Sequence, residues 1–435
     1  MYNQNLSILE ILILAAFLCV SFIPFKLINL KNKLSFVNPL IIYNIFFLYY
    51  CFFSPIIKVF QSDFLFRGLL IRDTLIYGWI GSLITVTFLL IGYFIPQKRQ
   101  NFSIKKRCSL DYNQMWRYGF LLSIIGLILY SITSGFDISI FNFFSSNVSS
   151  VDYLIYRGSF VNYFRQALNF LITGSFLTTI SSLKLNKRFL LSAIILLLTL
   201  SIFLKFGFRF RLFFLFLPLC LFYFLNSKLR PFTYFASIPV GIFLANILEI
   251  IRTYGQGLQL DKITNYDANM FLEKGFIGAE SDVFFASSAI MSLIPEKLNF
   301  IYFTPIIQTI IFPIPSNLIE KFSGDYIKKA FETLFSSPFV GTGAAFLNFA
   351  EYYYMFGWAG IIIFSTILGF IFKKLWIWIN LHQEEPLALP VYLLNVCFIF
   401  LIISRGFLPQ QVFIYAFTIL PINLIYYFNS KKIIY

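Results

Sequence analysis

Residues 203–214 read FLKFGFRFRLFF, three cations set into a phenylalanine-rich run. How this stretch divides decides the fold. Residues 189–226 are apolar on both sides of it, too long for one membrane span of about 20 residues and suited to two. Buried in the middle of a single span, Lys205, Arg209 and Arg211 would cost roughly 2.5–3.5 kcal/mol each on an insertion scale. A tight turn at Gly207 puts them instead at the ends of two helices, 189–206 and 209–226.

Apolar runs of similar length recur on either side, at 7–28, 37–57, 75–95, 117–134, 161–182, 232–250, 349–372, 387–404 and 409–428. With the central pair they make eleven expected spans. The composition agrees: of 435 residues 59% are hydrophobic, 21% aromatic and 12% charged, where soluble domains hold about 45–50% apolar residues. The runs are apolar throughout, which excludes the short alternating segments of a membrane β-barrel. The expected fold is an all-α, polytopic integral membrane protein. Its first run is too long for a cleavable signal peptide and lacks a basic start, so it reads as the first span.

The net charge of +15, from 34 Lys and Arg against 19 Asp and Glu, does not point to nucleic acid, because the cations are scattered between spans. One orientation suits every short loop. Lys26, Lys31 and Lys33, the 98–107 cluster, Lys184, Lys187 and Arg188, Lys228 and Arg230, Lys373 and Lys374, and Lys431 and Lys432 all fall on one side. The positive-inside rule makes that side the cytoplasm and leaves the N-terminus outside. A membrane domain over 1–250 then precedes a large external loop over 251–348, and 349–435 returns three spans. Within the loop, 283–294 and 300–315 suit interfacial helices or a re-entrant pair broken by Pro305, Pro313 and Pro315; if both crossed, the count would be thirteen.

The external side is unusual in its cations. Arg67, Arg72, Arg157, Arg165, Arg209, Arg211 and Arg405 stand there beside only Lys58 and Lys205, whereas the cytoplasmic loops are mainly lysine. Cations at helix ends reach headgroups without needing a ligand. Orientation, however, does not distinguish the two residue types, and arginine alone offers a planar fork for phosphate or carboxylate. An outer-face anionic substrate follows as the expectation. Arg252, three residues after Glu249 on one helical face, is either part of that site or one half of an ion pair.

The stretch VGTGAAFLNFAEYYYMFGWAGIIIFSTILGF (340–370) resembles the late segment of Wzy-type repeat-unit polymerases, where small residues precede an acidic, aromatic helix start and an FG..G step. FGFRFRLFFLFLPL resembles their basic hairpin, ESDVFFASSAIMSLIP with FPIPSN their large periplasmic loop, and SRGFLPQQVF (404–413) the arginine turn before their last span. The resemblance implies a glycosyltransferase of the bacterial cytoplasmic membrane, active on its periplasmic face. It would move a growing glycan from undecaprenyl diphosphate to the sugar of an incoming lipid-linked repeat unit in O-antigen or capsule synthesis. Its expected partners are that lipid-linked oligosaccharide, membrane lipids, a chain-length regulator and a flippase.

Such transfer is helped by a base near the acceptor and positive charge near the leaving group. The candidate carboxylates are Glu280 and Asp282, which also suit a solvated helix start, and Glu351, costly inside a span unless partnered by a group such as Arg405 or Arg209. Substrate-binding candidates are Lys205, Arg209, Arg211, Arg252 and Arg405. His382, the one histidine, reads as a solvated cytoplasmic residue in NLHQEEP. That disfavours the related O-antigen ligases, which use an external histidine. No cysteine pair, His and Cys cluster, DxD pair or phosphate loop is present, so neither metal nor cofactor is expected. Tyr302, Phe303 and Tyr352–Tyr354 suit interfacial anchors or sugar-stacking rings. A lipid-linked sugar flippase is the rival from another class, but the internal repeats and interrupted spans of transporters are missing.

Overall fold

A computed structural model describes residues 6–28, 32–61, 64–66, 68–96, 104–134, 166–206, 209–228, 252–253, 257–258, 281–311, 314, 326–336 and 345–434. The described chain is almost wholly helical. Helix α1 (Ile8–Leu27) opens on a capping box, with the Ser7 hydroxyl accepting from the Glu10 N–H and the Glu10 carboxylate accepting from the Ser7 N–H at 2.7 Å. The second span runs Lys33–Phe60 and contains α2 (Pro39–Leu48), a wide π turn at Tyr49–Phe53 and α3 (Ser54–Phe60). Pro55 follows that turn and has no N–H to continue an α-helical ladder, so the widened turn absorbs the break.

Helices α4 (Leu75–Phe94), α5 (Tyr112–Ser134), α6 (Phe170–Leu185), α7 (Phe189–Phe206) and α8 (Arg209–Asn226) follow. The break between α7 and α8 falls at the expected residues. Helix α5 starts at Tyr112, ahead of the expected 117, because Asp111 and Gln114 exchange backbone-to-side-chain bonds of 2.7 and 3.1 Å in a second capping box.

From the long connection come α9 (Ser281–Leu293), α10 (Thr304–Ile311) and α11 (Tyr326–Phe335), followed by α12 (Asn348–His382), α13 (Ala388–Ser404), α14 (Leu408–Thr418) and α15 (Leu420–Phe428). Strands β1 (Ile104–Cys108) and β2 (Ser430–Ile434) pair antiparallel. Among the described residues five segments are long and apolar enough to span: α1, Lys33–Phe60, Arg72–Phe94, Tyr112–Ile132 and α12. The α14–α15 pair, bent by 48°, makes a sixth if it counts as one. The chain is a multi-pass membrane protein. The expected span at 232–250 lies outside the described residues.

α9 packs into the bundle: Phe284, Phe285, Ala286, Ala289, Ile290 and Met291 are all buried, and it inserts against α4 and the start of α12, where Gly78 and Gly81 leave room for Phe284, Ser288, Met291 and Phe349. One expectation is corrected here. α12 does not stop at 372. Trp376, Trp378 and Ile379 extend its apolar side, while the Lys373 and Lys374 ammonium groups lie over the rings of Tyr93 and Phe370 at 4.9 and 4.6 Å, which removes the need for a loop there.

α4 and α12 cross closely. A Cβ on Gly92 would stand 2.0 Å from the Thr366 carbonyl oxygen, and one on Gly369 2.1 Å from that of Leu89. Such contact is how membrane helices associate when hydrophobic exclusion is absent. Ends that the charge pattern places on one side meet one another. Glu10 pairs with Arg72 and Lys58 with Asp282; at the other end Lys33 donates to the Ser227 carbonyl, Lys184 donates to Asn226 at 2.5 Å, and β1 pairs with β2.

Candidate active site

The segment FLNFAEYYYMFGWAG (346–360) does not form one straight helix. Its first helical stretch ends at Phe356 and Gly357, where φ/ψ are −142/22° and 61/−149°. The Gly357 conformation is open essentially to glycine alone. Beyond the bend, a Cβ on Gly360 would lie 2.1 Å from the Tyr352 carbonyl oxygen, so the second glycine lets the two stretches fold against each other. The carbonyls freed at the bend are met from α10's side of the chain: Ile301 N–H donates to Tyr354 at 3.0 Å and Tyr302 N–H to Met355 at 3.1 Å. This is the physical content of the FG..G step.

The short stretch before the bend carries Glu351, 2% exposed. Its Oε1 accepts the Tyr326 hydroxyl of α11 and the Leu408 N–H at 2.9 Å. The second donor is an orphan amide at the start of α14, so the carboxylate caps a helix from another segment. Oε2 accepts no hydrogen bond among the described residues. Arg405, one of the two partners expected from sequence, is not what satisfies the carboxylate; the side chain of the other, Arg209, lies outside what is described.

Arg405 nevertheless belongs to the same place. It ends α13, three residues before Leu408, and its backbone is fixed: its N–H donates to the Leu401 carbonyl at 3.1 Å, and its carbonyl accepts from Phe407 N–H at 2.8 Å and from the Gln411 side chain. Gly406 N–H donates to the Phe346 carbonyl at 2.7 Å, and the Phe407 ring meets Tyr326 edge-on at 5.4 Å. The turn SRGF is thereby pinned to the strand-like entry of α12. Arg405 is partly buried, and its guanidinium has no hydrogen-bond or ion-pair partner among the described residues.

Arg211, 3% exposed, is held differently. Its Nε donates to Asn169 Oδ1 at 2.7 Å and an Nη to Gln166 Oε1 at 3.2 Å, with the rings of Phe203 and Phe210 against the guanidinium at 5.8 and 5.4 Å. It is built into the junction of α6, α7 and α8. Asp282 pairs with Lys58 at 3.2 Å. Arg72 pairs with Glu10 through two bonds of 2.5 and 2.7 Å, which accounts for one of the outward arginines without a ligand. Glu280 lies outside the described residues, and for Lys205, Arg209 and Arg252 only the backbone is described.

His382 is corrected from solvated loop to a packed helix end. Its Nδ1 is 2.6 Å from Glu385, whose other oxygen accepts the Tyr426 hydroxyl at 2.8 Å and the Cys108 N–H at 3.0 Å, with Trp378 against the ring. This cluster ties α12 to β1 and α15 at the positively charged end. Among the described residues no group of three His, Cys, Asp or Glu side chains is placed to hold a metal.

Sequence reasoning missed Tyr326, Gln166 and Asn169, which lie far along the chain from the charges they serve. It also missed the Glu10–Arg72 pair, although the Ser-x-x-Glu pattern SILE (7–10) was there to find. No curated protein and no solved structure matches the chain. A family model, O-antigen polysaccharide polymerase Wzy, matches residues 2–432. With nearly the whole length covered, and with the FG..G bend and the arginine turn joined at one buried carboxylate, the chain belongs to the O-antigen polysaccharide polymerase Wzy family.

Proposed function

We propose that this polymerase transfers the growing glycan from undecaprenyl diphosphate to a sugar hydroxyl of an incoming lipid-linked repeat unit, at the periplasmic face of the inner membrane. The observation that carries the reading is the buried Glu351 carboxylate, held by one oxygen and adjoining a turn that presents Arg405. In the reaction the bond from the sugar's anomeric carbon to the diphosphate oxygen breaks, and its electron pair leaves with the diphosphate. The acceptor hydroxyl forms the new glycosidic bond and gives up its proton. Glu351 Oε2 is the acceptor for that proton, and Arg405 faces the diphosphate, whose developing charge a guanidinium fork stabilises.

Arg211 is fixed at the α6–α8 junction by Gln166 and Asn169. Asp282, engaged by Lys58, is read as an anchor of α9 rather than as a base. A chain-length regulator and a flippase are the partners such a reaction needs.

The test is a gel of surface polysaccharide from cells lacking the protein. Single capped repeats are expected. Free uncapped polymer would instead indicate a ligase, and accumulated inward-facing lipid-linked units a flippase; either result would overturn the proposal.

A further inference from the structure

Tyr326 has no assigned task in this reaction. It begins α11, whose buried side is Tyr326, Ala330 and Phe331 and whose Lys328 and Lys329 are exposed. The helix is docked by its apolar side: Phe331 packs on Phe346 with ring centres 6.4 Å apart, and Phe335 on Phe66 at 5.8 Å. Those contacts do not involve the Tyr326 hydroxyl. The Tyr326 ring itself lies between Phe407 at 5.4 Å and Tyr354 at 6.2 Å, which aims the hydroxyl at Glu351 Oε1.

We infer that Tyr326 is a positioning residue for the transfer: its hydroxyl, with the Leu408 N–H, fixes one carboxylate oxygen of Glu351 so that the other is presented to the acceptor sugar. A lone glutamate turns about its terminal bond and spends much of its time misaligned. Two donors on one oxygen, from two different elements, remove that freedom before substrate arrives. The hydroxyl also links the long external connection to the chemistry, since α11 comes from that segment and Leu408 from the last turn. The inference rests on the proposed role of Glu351 and extends it.

The experiment compares the full-length wild type, Tyr326→Phe, Glu351→Gln and the double variant in lipid nanodiscs, extending a synthetic polyprenyl-diphosphate-linked oligosaccharide. Tyr326→Phe should lower kcat by about tenfold to a hundredfold, less than the roughly 10²–10⁴ supplied by the positioned base itself, and leave KM within about twofold. In the Glu351→Gln background the same change should add nothing. Loss of KM at unchanged kcat, or unchanged kcat, would overturn the inference. Should the phenylalanine variant fail to fold, 3-fluorotyrosine at position 326 keeps the volume and strengthens the donor. A changed kcat then supports the inference, and an unchanged one sinks it. A wild type unable to extend the substrate removes the functional reading and this inference together, whereas inactive Glu351→Gln beside fully active Tyr326→Phe removes the inference alone.

Discussion

Replacing Glu351 by glutamine separates the shape of the site from its charge. The carboxamide oxygen still accepts the Tyr326 hydroxyl and the Leu408 N–H, so the segment before the Gly357 bend and the start of α14 keep their connection. Hydrogen bonds to a charged group are worth about 1.5–3 kcal/mol and neutral ones about 0.5–1.5, so exchanging two of them costs about 2 kcal/mol. Alanine behaves otherwise. It leaves two buried donors unmet at about 1–3 kcal/mol each, about 2–6 in all. A positioned general base contributes about 10²–10⁴ in rate, far more than the folding penalty of the glutamine variant can explain. Glu351→Gln should therefore insert at normal abundance, unfold a few degrees lower in detergent, and leave cells with single repeats in place of a polysaccharide ladder. Glu351→Ala should lose both the ladder and much of its thermal stability. A glutamine variant with a ladder of normal length would refute the role given to the carboxylate, and comparable destabilisation by both substitutions would refute the hydrogen-bond bookkeeping.

Arg405→Ala should abolish long chains while abundance holds, and Arg405→Lys should restore them only in part, because a point charge cannot replace the fork; equal ladders from the two variants would count against diphosphate recognition. Gly357→Ala forces a side chain into φ 61°, ψ −149°, a cost of about 1–3 kcal/mol, and should shift the thermal transition downward and shorten the polymer. Glu10→Ala removes the carboxylate that accepts two hydrogen bonds from Arg72 and should lower the thermal transition, with Glu10→Ala/Arg72→Met recovering most of the loss in the same assay.

Much of the architecture is local and was legible along the chain. The break between Phe206 and Arg209 follows from three cations and a glycine that no single span accommodates, and α1, α13 and the central pair sit where their apolar runs place them. Sidedness too is a property of where lysines fall between runs. Helix ends were less legible, since Asp111 with Gln114 began α5 early and the Trp-rich continuation of α12 outlasted its lysines. The need of Glu351 for partners could be read from its position, because a carboxylate in an apolar run is expensive alone.

Which groups answer that need was decided by the tertiary structure. Tyr326 and the Leu408 N–H reach one oxygen from sequence separations of 25 and 57 residues, and no periodicity encodes such a meeting. The same holds for Arg211, buried with Asn169 and Gln166 as its partners, and for Asp282, claimed by Lys58 across 224 residues. Residue type along a chain sets solvation cost and helix length, which are local terms. The choice of partner depends on how the helices pack, and that is fixed by contacts such as Gly92 on Thr366 and Gly369 on Leu89, which exist only once the bundle has formed.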